Sequence, residues 1–247
     1  MILLSARCAA LPLRIDAKGR GVAPSAEDLD AACRRPTSSA KCLNEQSTAA
    51  LQMRVIAGSA GGLPLHTPRT ELRPTMDRVK AAIFSMLGDS VKGARVLDLF
   101  AGTGSLGIEA LSRGSVSATF IENDARAVAA IEKNLQRTQL RGTVHAADVF
   151  RFLDRMTGTA AFDLIFADPP YAKQPGERDF TPELVGSASL HGALAPDGIF
   201  VLEHLPGAKL ALGRNWEALR QRRYGATEVA VLRKLATGGE VASSEPA

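Results

Sequence analysis

The sequence predicts an α/β protein built on a doubly wound, mostly parallel sheet. Three observations carry that prediction. Apolar runs that read as buried strands alternate with helix-period segments from Arg95 to Tyr171. Two of those runs end in polar turns, Ala101-Gly102-Thr103-Gly104 and Asp168-Pro169-Pro170-Tyr171, at the strand ends where open α/β sheets place ligand chemistry. The last two strand-like stretches meet at Gly225, which suits an antiparallel edge on an otherwise parallel sheet.

The first 52 residues differ in kind from the rest. They are rich in Ala, Ser, Arg and Pro, show no sustained period, and hold all three cysteines, Cys8, Cys33 and Cys42. Those spacings give no zinc pattern, and Met1-Ile2-Leu3-Leu4 is too short an apolar run for a secretory signal. Residues 1–52 are expected to be a disordered extension or an over-long start. Residues 53–90 should form an N-terminal hairpin and helix, 91–235 the main domain, and 236–247 a disordered tail.

Within those bounds each element has a local reason. Met53 to His66 reads as hairpin-like. A helix is expected from about Thr75 to Leu87, with Thr75 as N-cap after Pro74. Val96 to Phe100 is an apolar strand that runs into the glycine turn and a helix from Ser105 to about Ser112. Ala118 to Glu122 is the second strand; Asn123 or Asp124 can cap the helix from about Ala125 to Thr138. Thr143 to Ala146 is a short strand before a helix from about Val149 to Met156. Phe162 to Ala167 is continuously apolar save for Asp163, as a strand buried on both faces should be. Ile199 to Glu203 follows the Pro196-Asp197-Gly198 turn, and Trp216 to Tyr224 and Glu228 to Arg233 complete seven strands.

Composition sets limits on function. The net charge is +4, with an isoelectric point near 9.1. Seven of the 30 basic and five of the 26 acidic residues fall in the first 52, so the remainder carries +2. A weakly basic surface permits an anionic partner without proving one. No run approaches the roughly 18 apolar residues of a membrane span, so no membrane partner and a cytoplasmic location are expected. No His/Cys/carboxylate cluster suggests a metal, and His66, His145, His191 and His204 read as structural or exposed.

The glycine turn admits two ligand classes. Gly102, Gly104 and Gly107 fit the dinucleotide spacing G-x-G-x-x-G, and Gly102 and Gly104 are expected to let a ligand approach the backbone closely. No lysine follows, which excludes a P-loop. Asp98, near the strand end, suits a ligand with an amino-acid ammonium group better than a pyrophosphate. Glu122 lies about 20 residues after the turn, where such units place a carboxylate on ribose hydroxyls. Asp148 either accepts from an adenine amino group or caps the helix that begins at Val149.

The Asp168-Pro169-Pro170-Tyr171 turn suits the gripping of a planar exocyclic amine. Asp168 and nearby backbone carbonyls are acceptors for an NH2 group. The prolines stiffen the turn and remove competing N–H donors, and Tyr171 offers a face on which a base can stack.

Asp98 to Gly104, Glu122, Asp148 and Asp168 to Tyr171 together resemble S-adenosylmethionine-dependent methyltransferases of exocyclic amines. Met53-Arg54-Val55-Ile56-Ala57-Gly58, Leu72-Arg73-Pro74-Thr75-Met76-Asp77-Arg78-Val79-Lys80, Phe84 and Leu87 narrow the resemblance to the bacterial 16S rRNA guanine-N2 methyltransferases of the RsmD type. The likeness covers about Met53 to Leu235. The Arg-Pro-Thr-x-Asp-Arg-Val segment is its specific part, and Met53 sits where chains of that family begin. Two departures stand out. The hairpin run Ser59 to His66 lacks Lys and Arg, and Ala81 replaces a Glu that is common in the family.

The resemblance implies a seven-stranded Rossmann-like methyltransferase sheet with S-adenosylmethionine as cofactor. Its site would be formed by Asp98, Phe100, Ala101, Gly102, Thr103, Gly104, Ser105, Glu122, Asn123, Asp148 and Val149. Asp168, Pro169, Pro170 and Tyr171 would be the catalytic residues, with no metal. The implied substrate is 16S rRNA or an assembling 30S subunit, the family target being guanine 966, and the chain is expected to be a monomer. Arg54, Arg73, Thr75, Arg78, Lys80 and Lys173 are the candidates for RNA contacts. Other readings stay open. The chain could methylate adenine or cytosine amines in DNA or another RNA, or be a non-catalytic RNA-binding assembly module. A dinucleotide-dependent oxidoreductase would leave the Asp-Pro-Pro-Tyr turn unexplained.

Overall fold

The computed structural model describes residues 53–67, 75–172, 174 and 176–235, together with two short strands, β1 (Arg14–Ile15) and β2 (Gly21–Val22). β1 and β2 pair antiparallel as a compact unit within residues 1–50. The rest of residues 1–52 and the tail from 236 lie outside the described residues.

The second unit begins with a hairpin. Arg54 pairs with Pro64 across it, and Leu65 donates its N–H to the Met53 carbonyl at 2.7 Å. Helix α1 is Thr75–Leu87. This is the expected range, and the Thr75 side chain expected to cap it lies outside what the structure describes. A single 3-10 turn, Gly88–Val91, follows.

Strands and helices then alternate: β3 (Arg95–Leu99), α2 (Ser105–Ser112), β4 (Ser117–Glu122), α3 (Ala125–Thr138), β5 (Thr143–Ala146), α4 (Val149–Met156) and β6 (Phe162–Ala167). Two six-residue helices, α5 (Phe180–Val185) and α6 (Ala188–Ala193), precede β7 (Leu194–His204), β8 (Trp216–Tyr224) and β9 (Thr227–Lys234). β7 begins five residues earlier than expected, because Leu194 pairs with Phe162 ahead of an irregular register at Phe162/Leu164.

The seven-stranded sheet has the order β5-β4-β3-β6-β7-β9-β8. β5 to β7 are parallel; β9 inserts antiparallel between β7 and the edge strand β8. The fold class is the one expected. One sheet face, including Val96, Phe120, Phe166 and Val231, packs against the hairpin and helices α1 to α3. The other, including Leu97, Ile165, Phe200 and Leu232, packs against α4 to α6.

Buried Glu109 on α2 ties the hairpin and α1 to this core. Its carboxylate accepts the N–H groups of Ile56 and Ala57 at 2.7 and 3.0 Å and the Arg113 Nε at 2.7 Å. Lys80 Nζ lies 3.8 Å away and donates to the Arg54 carbonyl at 2.6 Å. Lys80 is only 3% exposed, so it is not a phosphate contact; burial lowers its pKa, with Glu109 and Asp77 opposing that shift.

Removing one partner of a buried ionic cluster typically costs about 3–5 kcal/mol, because the others stay buried and uncompensated. Glu109→Ala is expected to lower stability to denaturant by that amount. A loss below about 1 kcal/mol would place the anchoring of the hairpin elsewhere.

Candidate active site

The strand order reverses at β3. The chain passes from β3 to β4 and β5 on one side, then returns to β6 on the other. The C-terminal ends of β3 and β6 therefore flank the crevice where doubly wound sheets bind ligands. Leu99 pairs in register with Ala167, so the segments that follow, Phe100 to Gly104 and Asp168 to Tyr171, leave the sheet side by side.

The glycine turn is built on left-handed backbone. Phe100 has φ +55°, Gly102 +55° and Gly104 +76°. A bulky aromatic in that region stores strain of the kind that gathers at ligand sites. A side chain at Gly102 would meet only the Phe100 carbonyl oxygen, 4.0 Å away, so the turn is open to a ligand there. Gly104 differs from Gly102 in what its side chain would meet. Its missing Cβ faces Ile108, Ile131 and Phe120 at 3.2–3.3 Å, so its smallness serves the core. Gly107 likewise lets α2 press onto β4, since a Cβ there would lie 2.3 Å from Phe120 Cε1.

Three polar side chains fix the turn from below. Glu122 accepts the Gly102 N–H at 2.8 Å through one oxygen, and those of Asn123 and Asp124, both at 2.9 Å, through the other. Buried Asn134 of α3 donates to the Thr103 carbonyl at 2.9 Å and to the His66 carbonyl at 3.0 Å, and accepts the His66 N–H at 2.7 Å. It thus joins the hairpin to the glycine turn. Asp98, 2% exposed, accepts the Gly107 N–H at 2.8 Å. Burial pushes its carboxyl up to about 7, and the Glu122 charge adds to the rise against the Gly107 hydrogen bond.

Asp98 decides which ligand the turn fits. A helix N-terminus attracts anions through its free N–H groups. Here the Asp98 carboxyl, reaching from β3, already takes the Gly107 N–H in the first turn of α2, so a pyrophosphate would find that donor used. A ligand carrying ammonium and sulfonium charges, as S-adenosylmethionine does, suits the position. Ser105 opens α2 behind Gly104, which caps the helix without a side-chain bond. Asp148 caps α4 by accepting the Arg151 N–H at 3.0 Å; it is exposed, with Val149 buried beside it. Asp124, rather than Asn123, caps α3.

Across the crevice, Asp168 and Pro170 are exposed and Pro169 is buried. The Tyr171 hydroxyl bonds to Thr227 and to Glu203 Oε1 at 3.2 Å, while the Thr227 hydroxyl donates to that same oxygen at 2.8 Å. Burial and then the Glu203 charge hold the Tyr171 pKa above its ordinary value, so the phenol stays neutral. Glu203 therefore anchors Tyr171. An acid ending an apolar strand, as in β3 and β4, was the available signal.

Of the RNA candidates, Arg54 is exposed, with Nε 3.9 Å from Asp77, and Arg78 is exposed on α1. Arg73 and Lys173 lie outside the described residues, as does the side chain of Thr75.

Affinity for S-adenosylmethionine is expected to fall as pH drops below about 7, because a cationic ligand is best met by ionised Asp98 and protonation of that carboxyl sets in there. Calorimetry between about pH 8 and about pH 5.5 measures this. Asp98→Asn should weaken binding and flatten the profile. An affinity independent of pH, unchanged in the variant, would remove Asp98 from the ligand's charge balance.

The family model described as Conserved hypothetical protein 95 matches residues 53–233. The Bacillus subtilis protein YlbH is 39% identical over 190 residues, covering 74% of this chain and 99% of its own. The ribosomal RNA small subunit methyltransferase D of Haemophilus influenzae is 33% identical over 180 residues, covering 70% of this chain and 90% of its own. Among solved structures, the Thermus thermophilus 16S rRNA N2 G1207 methyltransferase RsmC, in complex with AdoMet and guanosine, superposes with a TM-score of 0.57 at 25% identity. That match covers 70% of this chain and 46% of RsmC. With that family model and these relatives, the chain belongs to the RsmD-type family of S-adenosylmethionine-dependent rRNA methyltransferases.

Proposed function

We propose that this chain transfers a methyl group from S-adenosylmethionine to the exocyclic N2 amine of a guanine in 16S rRNA, with guanine 966 as the position. The observation that carries the reading is the Leu99–Ala167 register, which sets the glycine turn beside Asp168 to Tyr171. Relatives named as small-subunit rRNA methyltransferases, and the RsmC complex with guanosine, support rRNA and guanine over other amines. The substrate is the naked rRNA or the assembling 30S subunit.

The cofactor supplies an electrophilic methyl on a sulfonium sulfur. Asp98, the Phe100 to Ser105 turn and Glu122 with Asn123 would hold it, with Val149 at its adenine end, since Asp148 serves as the cap of α4. The protein's remaining task is to reshape the target amine, whose lone pair is delocalised into the ring. Asp168 and the Pro169 carbonyl accept the two amine hydrogens, which favours a tetrahedral nitrogen and stabilises the positive charge that grows on it. Pro170 stiffens this grip. Tyr171, its hydroxyl held by Glu203 and Thr227, gives a fixed ring against which a splayed-out base stacks. The proton leaves to Asp168 or to water at the exposed mouth. Alignment of nitrogen and methyl is the main contribution. Arg54, Arg73, Thr75, Arg78 and Lys173 would contact the RNA backbone.

The test uses tritiated S-adenosylmethionine with 30S subunits, naked 16S rRNA and duplex DNA, followed by digestion to nucleosides. Label in N2-methylguanosine from small-subunit RNA is expected. Label in methyladenine or methylcytosine would transfer the reading to another amine, and no label with cofactor bound would make the chain a binding module. Asp168→Ala should keep cofactor affinity and lose at least about a hundredfold in turnover; near-normal turnover would remove Asp168 from the mechanism.

A further inference from the structure

We propose that the cleft between helix α1 and edge strand β8 is a second RNA-binding surface, which grips the strand leading away from the target base through Arg222, Arg220 and Arg78. The proposal rests on the rRNA reading above and extends it from Arg78, in the family-specific segment, to Arg220 and Arg222 outside it.

Register places these groups. Along β8, Arg220 pairs with Val231, Arg222 with Val229 and Tyr224 with Thr227. Directly opposed residues share a sheet face, and Val229 and Val231 belong to the core beneath α1. Arg220, Arg222 and Tyr224 therefore stand on the α1 side. Thr227, the partner of Tyr224, bonds the Tyr171 hydroxyl, so this face of β8 runs directly to the base-stacking residue.

A bulge creates that arrangement. The register shifts by one residue between Ala218 and Arg220, leaving Leu219 extra. A one-residue shift reverses the face of every later side chain. Without it, Arg220, Arg222 and Tyr224 would all point to the opposite side, away from Tyr171.

Helix α1 forms the other wall. Arg78, Ala82 and Met86 follow one another at four-residue intervals and form one ridge of the helix. Met86 lines a cleft of about 230 Å³ with Leu87, Ser90, Leu219 and Arg220. Because α1 ends at that cleft, Arg78 sits toward the other end of the same ridge.

Charge identifies the occupant as a polyanion. Arg220 and Arg222 form no ion pair with a carboxylate among the described residues, whereas Arg233 pairs with Glu217 at 3.4 Å and Arg223 lies on the other face, donating to the Gly225 carbonyl at 3.0 Å. Two residues along a strand span roughly 6.7 Å, comparable to the separation of consecutive phosphates in an extended RNA strand. Charged residues also guard edge strands against pairing with other chains. That role needs no particular sheet face and no alignment with Tyr171.

The test compares the full chain with Arg220→Gln/Arg222→Gln, using a fluorescent single-stranded RNA that contains one guanine, over a KCl series. The variant is expected to bind about tenfold more weakly, with the slope of log affinity against log salt reduced by about 1.4, or roughly 0.7 per lost contact. Cofactor affinity and turnover at saturating RNA should not change. Arg222→Lys, which keeps the charge, should keep the slope, and so guards against a folding artefact in the double variant. An unchanged RNA affinity and slope with cofactor binding intact would overturn the proposal, as would self-association of the variant without loss of RNA binding. If the unaltered chain bound neither this RNA nor 30S subunits, the rRNA reading itself would fall, an outcome distinct from both.

Discussion

The buried carboxylate of Glu109 is the interaction on which the N-terminal half of the structure depends. A fully buried anion is costly to desolvate and persists only with close partners. Glu109 has four: two hairpin N–H groups, Arg113 on its own helix and Lys80 on α1. Each belongs to a segment that would otherwise lie loosely on the sheet. Satisfying one charge therefore forces the hairpin, α1 and α2 into one arrangement. α2 is also the helix that the glycine turn opens, so this restraint reaches the turn proposed to hold the cofactor.

Asn134 extends the same logic from hairpin to ligand. One buried amide uses its oxygen on the His66 N–H and its nitrogen on the carbonyls of His66 and Thr103. Whatever orders the hairpin also holds the Thr103 peptide in the turn, and RNA that docks on the N-terminal segment would meet a cofactor site already shaped. On the far side of the crevice, Glu203 does for Tyr171 what Glu122 does for Gly102: a carboxylate near the end of a strand fixes a group of the proposed site. Positioning is the main demand of methyl transfer to a delocalised amine, and these buried polar groups supply it.

Much of this was legible in the sequence. The ranges of α2, α3, α4, β5, β6 and β8 agree with expectation, because each is a short periodic or continuously apolar run bounded by a cap, a glycine or a strand-ending acid. Helices α5 and α6, at six residues each, are too short for a period to show and went unread. Lys80 looked like a surface cation because nothing local reveals a partner 29 residues away on another helix. The motif records that glycine is needed at 104 and not that the missing Cβ would face the core. Asn134 left a trace, a lone amide on the apolar stripe of α3 between Ala130, Ile131, Leu135 and Thr138. Its two backbone partners, from segments far apart in the chain, could come only from the fold.

The central claim is that the turns after β3 and β6 form one site, one holding the cofactor and the other the amine. A crystal structure of the chain with S-adenosylhomocysteine tests it most directly. The ligand is expected to lie along Gly102, with its amino-acid end over Asp98, its ribose at Glu122 and its sulfur facing Asp168 to Tyr171. A ligand bound elsewhere, or one whose sulfur faces away from that turn, would contradict it.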